Sequence, residues 1–250
     1  MTAPFRPKSV GLTHVGVVRS VNEDSMMMRE DAGVWVVADG MGGHENGQWA
    51  STTIAEAVQA ASITGDFDAD VTAIGDAILA ANETIYRASV ESGRSMGSTV
   101  TALYLKGERF AAFWAGDSRI YLMRAGMLHQ LSRDHTQVMD MVERGLMTAE
   151  EAAHHPMGHV LSRAVGTQET LELDAVSDAA ETRDVFLLCS DGLTGVVSPE
   201  EIAERLAAFT PEIACRRLLE LVLARGAPDN VTMVAVACEE QTALSLAPAF

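Results

Sequence analysis

The sequence predicts an α+β fold, and three observations carry the prediction. Runs of strand-like residues alternate with pairs of helical segments instead of single ones. Successive strands are joined by connections too short for crossover helices. The chain's 250 residues, 48% of them hydrophobic, suffice for one sizeable domain with a substantial core.

Residues 9–18, 25–28 and 34–38 read as short strands broken by polar turns. From Gln48 the apolar positions Ile54, Ala57, Val58 and Ala61 recur at helical spacing, and Val71, Ile74, Ile78, Ala81 and Ile85 do so more strongly; two amphipathic helices follow. Residues 97–105, 109–115 and 120–124 are three β-prone runs joined by Lys106-Gly107-Glu108 and Gly116-Asp117-Ser118, as in an antiparallel meander. Residues 134–145 read as a helix, and Thr148 with Glu151 forms a capping box that opens a short one. Two strands are expected at 171–176 and 185–189. A second capping box has Ser198 as N-cap, Pro199 in the first turn and Glu201 three residues on. A last helix spans 210–224, a buried-type strand 231–238, and the tail after Glu239 has no pattern.

Eighteen Lys and Arg against 35 Asp and Glu give a net charge of −17, a field that repels nucleic acid and anionic membranes. Neither is expected as a partner, and a nuclease acting on a polyanion is disfavoured; cations or basic partners fit better. Cys189, Cys215 and Cys238 are odd in number, lack zinc-site spacing and lie in apolar stretches, which implies a reducing compartment. No apolar run approaches the roughly 18 residues of a spanning helix, and Arg6 and Lys8 near the start precede no leader-type apolar region. A cytoplasmic protein is expected.

The informative residues are aspartates at the ends of apolar runs. Asp39 ends Val34-Trp35-Val36-Val37-Ala38 and is followed by Gly40-Met41-Gly42-Gly43; Asp191 ends the run from Val185 and is followed by Gly192. Asp229 precedes Asn230 and the last strand, and Asp117 follows Trp114-Ala115-Gly116. Carboxylates gathered at core strand ends are costly to desolvate and repel one another unless a cation joins them. Oxygen-only ligands without paired His or Cys select hard ions, Mg²⁺ or Mn²⁺. Two such ions activate water for in-line phosphoryl displacement. Arg19-Ser20-Val21-Asn22-Glu23-Asp24 adds a guanidinium fork suited to phosphate and two further carboxylates.

Competing motifs fail on context. Gly93-Arg94-Ser95-Met96-Gly97 fits a nucleophile elbow, but a helix enters and a strand leaves, the reverse of what that motif needs. Asp68-Ala69-Asp70-Val71-Thr72 fits an aspartyl-nucleophile pattern without the buried strand that should precede it; Asp68 or Asp70 reads as a helix cap. Cysteine-dependent phosphatases need an Arg six residues after the nucleophile, and Gly195, Leu221 and Leu244 stand there.

Seven motifs in order resemble the metal-dependent Ser/Thr protein phosphatases of type 2C, bacterial branch. They are Arg19-x-x-Asn22-Glu23-Asp24, Ala38-Asp39-Gly40-Met41-Gly42-Gly43, Gly97-Ser98-Thr99, Ala115-Gly116-Asp117-Ser118-Arg119, Leu131-Ser132-x-Asp134-His135, Ser190-Asp191-Gly192-Leu193 and Asp229-Asn230-Val231-Thr232. The resemblance implies two packed antiparallel β-sheets with helices on both outer faces. It implies a catalytic domain over 9–239, with 1–8 as an N-terminal extension and 240–250 as a C-terminal tail. It also implies a binuclear Mg²⁺ or Mn²⁺ site, Asp39 bridging both ions, the Gly40 carbonyl on one, and Asp191 and Asp229 on the other. Glu23 and Asp24 would hold metal-bound waters, Arg19 would grip the phosphate, and a third, weaker ion would sit on Asp117 and Asp191. Attack on phosphorus by a metal-bridging hydroxide, without a phosphoenzyme, is the implied chemistry; phosphoproteins are the implied substrates, and a Ser/Thr kinase the activity reversed. A catalytically silent phosphoprotein-binding module of the same fold is the alternative, against which the retention of Asp39, Asp191 and Asp229 speaks.

The chain departs from the family pattern in places. Met41 stands where animal members carry a proposed general-acid His, so leaving-group protonation is unassigned, with His44 a nearby candidate. Gln48 replaces a common Glu. Residues 138–165 resemble the family's mobile flap, which has Gly158-His159 where Arg-Asn is frequent. His155 and His159 mimic a zinc pair at i and i+4, but Pro156 and Gly158 break the helix that such a pair needs, so a loop is expected.

Overall fold

In chain order the first half of the molecule contains β1 (Phe5–His14), β2 (Asp24–Arg29), β3 (Val34–Met41), α1 (Glu45–Gln59), α2 (Phe67–Ser92), β4 (Gly97–Ser98), β5 (Val100–Lys106), β6 (Arg109–Ala115) and β7 (Arg119–Arg124). The second half contains β8 (Met127–Gln130), α3 (Gln137–Glu143), α4 (Ala149–Ala153), β9 (Asp174–Ala179), β10 (Val185–Cys189), α5 (Asp191–Thr194), α6 (Pro199–Ala208), α7 (Pro211–Ala224) and β11 (Val231–Glu240). This computed structural model describes residues 5–43, 45–153 and 155–240; His44 and most of the expected tail lie outside them.

The strands form two antiparallel sheets. One has the order β1-β11-β10-β7-β8, the other β2-β3-β5-β6-β9 with β4 paired to β3. Strand periodicity explains why both faces of each sheet are covered. Along β3, Val34, Val36 and Ala38 pack against Ile54, Val58, Ile74 and Ile78 of α1 and α2, whereas Trp35 and Val37 point into the space between the sheets. Along β10, Leu187 and Cys189 pack on Leu218 and Val222 of α7, and Phe186 and Leu188 meet Trp35's cluster in the middle. The result is four layers, helix, sheet, sheet, helix, with three cores between them. Cys189, Cys215 and Cys238 are free and buried in these cores.

Several elements differ from the sequence expectation. The first strand starts at Phe5, so residues 5–8 of the expected extension are paired strand, with Phe5 opposite Glu240. The expected meander breaks at its third strand. β7 pairs with β10 and β8 in the other sheet, and Gly116-Asp117-Ser118 carries the chain across. Gly116 turns there with φ of +110°, its N–H donating to His135 Nδ1 at 3.2 Å and its carbonyl accepting the His135 N–H at 2.9 Å. The helix expected from residue 134 begins at Gln137, because Asp134 is engaged in a bidentate pair with Arg119 and Thr136 supplies the N-cap. The cap of α2 is Asp66; Asp70 instead accepts the Thr64 and Gly65 N–H groups and the Tyr104 hydroxyl.

Both capping boxes are present, at Thr148 with Glu151 and at Ser198 with Glu201. Residues 138–160 form an excursion closed at its base by the Thr136–Leu161 bridge and by the Gln137 N–H donating to the Val160 carbonyl at 2.9 Å. Past His155 it runs in turns, not helix. No helix among the described residues is long and apolar enough to cross a membrane.

Candidate active site

The two sheets pack face to face, and the aspartates converge at one end of the stack, where β3 and β10 end and β11 begins. Asp39 is held by its own backbone. Its carbonyl accepts the Thr99 N–H and the Ser98 hydroxyl, both at 2.8 Å, and its N–H donates to Thr99 Oγ1 at 3.0 Å. Thr99 Oγ1 in turn shares a 2.6 Å hydrogen bond with Ser118 Oγ, beside Asp117. Asp191 opens α5 with Ser190 as N-cap residue. The Ser190 hydroxyl donates to Asp24 Oδ2 at 2.9 Å and accepts the Thr232 N–H at 2.9 Å, so β2, β10 and β11 are tied at one point.

Glycines let these segments touch. A Cβ at Gly40 would collide with the carbonyls of Gly47 and Glu23, and one at Gly192 with the carbonyl of Asn230.

A cavity of about 240 Å³ brings together Arg19, Glu23, Asp39, Gly40, Asp191 and Asp229. Arg19 sits exposed at its mouth, its Nη2 2.8 Å from Asp229 Oδ2, an ion pair that holds the guanidinium beside the carboxylates. Asp24 is buried beneath, opposite Asp39 in the β2–β3 pairing. Asp117 is buried at the crossing between sheets and lines, with Asp191, two adjoining cavities of about 400 and 410 Å³ that open under the 138–160 excursion.

The electrostatics are those of a site short of positive charge. Burial, then the neighbouring carboxylates, pushes the Asp117 carboxyl up to about 7. Burial does the same to Asp24, up to about 7, against the lowering effect of hydrogen bonds from Thr232 and Ser190. Asp39 and Asp191 are raised by burial and by like charge. The Asp39 and Asp191 carboxyls stand close enough to influence each other's charge directly. Asp24 Oδ1 is buried with no partner. An all-oxygen donor set, carboxyls raised by one another's charge and an unpartnered buried oxygen together fit divalent cations with bound waters.

Sequence reasoning missed the residues that hold this arrangement. Asn230 is the main one. Its Oδ1 accepts the Glu23 N–H at 2.8 Å and its Nδ2 donates to the Val15 and Val21 carbonyls at 2.9 and 3.0 Å, fixing the loop that carries Arg19. Ser190, Thr99, Ser118 and His135 act likewise. All stood inside the recognised motifs, and only the motif itself signalled them. His159, read as a plain loop residue, lies near Asp117 and Asp191, whereas His155 is not part of that group.

The profile of the family described as protein phosphatase 2C matches residues 14–145. The chain is 40% identical over 225 residues to the serine/threonine protein phosphatase PstP of Mycobacterium tuberculosis, covering 88% of this chain and 42% of that protein. It thus spans less than half the length of that relative. A solved structure of PppA, described as a key regulatory component of the type VI secretion system in Pseudomonas aeruginosa, superposes with a TM-score of 0.86 at 38% identity, covering 93% of this chain and 98% of that one. A PstP catalytic domain in complex with two manganese ions superposes with a TM-score of 0.81 at 34% identity, covering 94% and 99%.

Proposed function

This chain belongs to the protein phosphatase 2C family, and from that premise we propose that it hydrolyses phosphoserine and phosphothreonine in proteins with two Mg²⁺ or Mn²⁺ ions, opposing a Ser/Thr kinase. One observation carries the reading. Asp39, Asp191 and Asp229 converge in one cavity with Arg19, Glu23 and Gly40, a gathering of carboxylates that calls for a cation. The manganese pair in the PstP domain supports it.

In this reading Asp39, the Gly40 carbonyl, Asp191 and Asp229 hold the ions, and Asp117 with Asp191 a weaker third. Bound there, the ions supply the charge that activates an attacking water and neutralises the phosphoryl oxygens. The protein's part is positioning. The Ser98–Thr99 clamp on the Asp39 backbone fixes its carboxylate at the strand end. Asp24, held through Oδ2 by Ser190, keeps Oδ1 free to accept from a water, and Glu23 faces the same cavity. Arg19 presents paired N–H donors to a phosphate arriving at the mouth. Buried free cysteines favour a reducing compartment, and cytoplasmic action goes with this reading.

Turnover of a phosphothreonine peptide with EDTA, Mg²⁺ or Mn²⁺ tests the assignment. Asp39→Asn and Asp191→Asn are expected to lower metal-dependent turnover by more than about 100-fold. Near-normal turnover of either variant at saturating Mn²⁺ sinks the assignment of ligands. A folded protein without turnover under any metal points instead to a phosphoprotein-binding module.

A further inference from the structure

The excursion over 138–160 brings one further side chain to the acidic site. His159 offers a ring nitrogen within 4.8 Å of carboxylate oxygens of both Asp117 and Asp191, and the two oxygens lie within the same distance of each other. Donors around one divalent ion are separated by about 3–4.5 Å, since each stands about 2.0–2.3 Å from it. The three atoms therefore need only small side-chain adjustments to share an ion. Asp117 is nine-tenths buried, and no other side chain among the described residues donates a hydrogen bond to it; Arg119, the nearest guanidinium, is taken up by Asp134 and Tyr121. The trio lies on the wall shared by the two larger cavities, open to both.

We propose that His159 is a protein ligand of the ion at Asp117 and Asp191, making that site a mixed imidazole and carboxylate centre selective for transition-series divalent ions over Mg²⁺. The proposal rests on the reading of Asp191 as a metal ligand. The resemblance accounts only for the two carboxylates; the imidazole comes from the excursion. Carboxylate and water suit Mg²⁺, whereas an imidazole nitrogen adds affinity for softer ions and little for Mg²⁺. Asp117 lies at the crossing between sheets, Asp191 opens α5 and His159 rides the turns after Pro156, so one ion ties the excursion to both sheets. Three side-chain donors leave the remaining positions to water or substrate oxygen.

Mn²⁺ alone is the probe. Electron spin echo modulation of the protein saturated with Mn²⁺ is expected to show ¹⁴N coupling from a directly bound imidazole, lost in His159→Ala and kept in His155→Ala. An EPR titration is expected to show Mn²⁺ affinity at one site falling about tenfold in His159→Ala, with Mg²⁺ competition at that site changed less than twofold. Absence of ¹⁴N modulation in the native protein, its persistence in His159→Ala, or equal Mn²⁺ affinity in the two overturns the proposal. His159 is exposed, so the variant retains the fold. The readout is independent of turnover: a protein that binds Mn²⁺ through His159 yet hydrolyses no phosphopeptide contradicts the phosphatase reading alone.

Discussion

Asn230 shows how much at this site depends on a residue that is neither an acid nor a base. At 6% exposure its amide satisfies the Glu23 N–H and the Val15 and Val21 carbonyls. Asn230→Ala strands all three, and a loss of about 2 kcal/mol is expected in urea denaturation of the metal-free protein; a loss under about 0.5 kcal/mol would mean that the loop is held elsewhere. Arg19, exposed and carried by that loop, is expected to act on binding. Arg19→Ala should raise KM and leave kcat near the native value, if the guanidinium grips ground and transition states alike. A fall in kcat at unchanged KM contradicts that role. The aspartates were legible in the sequence because each lies beside one end of an apolar run. Asn230's partners were not, since they lie 207 to 215 positions away and nothing local marks them.

Among the elements, legibility followed the range of the interactions. The capping box of α6 was readable because Ser198, Pro199 and Glu201 lie within one turn. The amphipathic helices were readable because period 3.6 is written in their own residues. The meander misled because Gly116-Asp117-Ser118 has the chemistry of a hairpin turn, and turn chemistry does not say which sheet receives the next strand. What decides it is packing. Ile120 and Leu122 complete the core between the sheets from the side opposite Phe110 and Ala112. At Gly116 a Cβ would meet Thr99 Cγ2 at 2.6 Å in backbone of φ +110°. Gly116→Ala is therefore expected to cost about 2 kcal/mol or more in thermal or urea unfolding, and to lower turnover, because Thr99 clamps Asp39. Native stability in that variant would show that the crossing is slack.

Over the whole molecule, a net charge of −17 and a knot of buried carboxylates make stability a function of pH and metal together. In the metal-free fold Asp24 and Asp117 titrate at about 7, and Asp39 and Asp191 are also raised. In the unfolded chain the same groups titrate near 4. Between those values the folded state holds more protons than the unfolded one, so its stability falls as pH rises from about 4 to 7. Binding of cations to the ionised carboxylates reverses the loss. The melting temperature in EDTA should thus drop between pH 5 and pH 8, and Mn²⁺ should raise it more at pH 8 than at pH 5. An equal Mn²⁺ effect at both pH values would mean that the ions bind away from these carboxylates.

The position of β11 also sets a timetable for the chain's synthesis. It lies between β1 and β10, so the first strand made waits for the last one before its sheet can close. The pairs β2–β3 and β5–β6 form through contacts close in sequence, whereas the pairing of Phe5 with Glu240 joins residues 240 − 5 = 235 positions apart. Asp229 enters the site on the same late segment. Until that segment is in place, a chain that already carries Arg19 and Asp39 lacks both the carboxylate of Asp229 and the strand that joins β1 to β10.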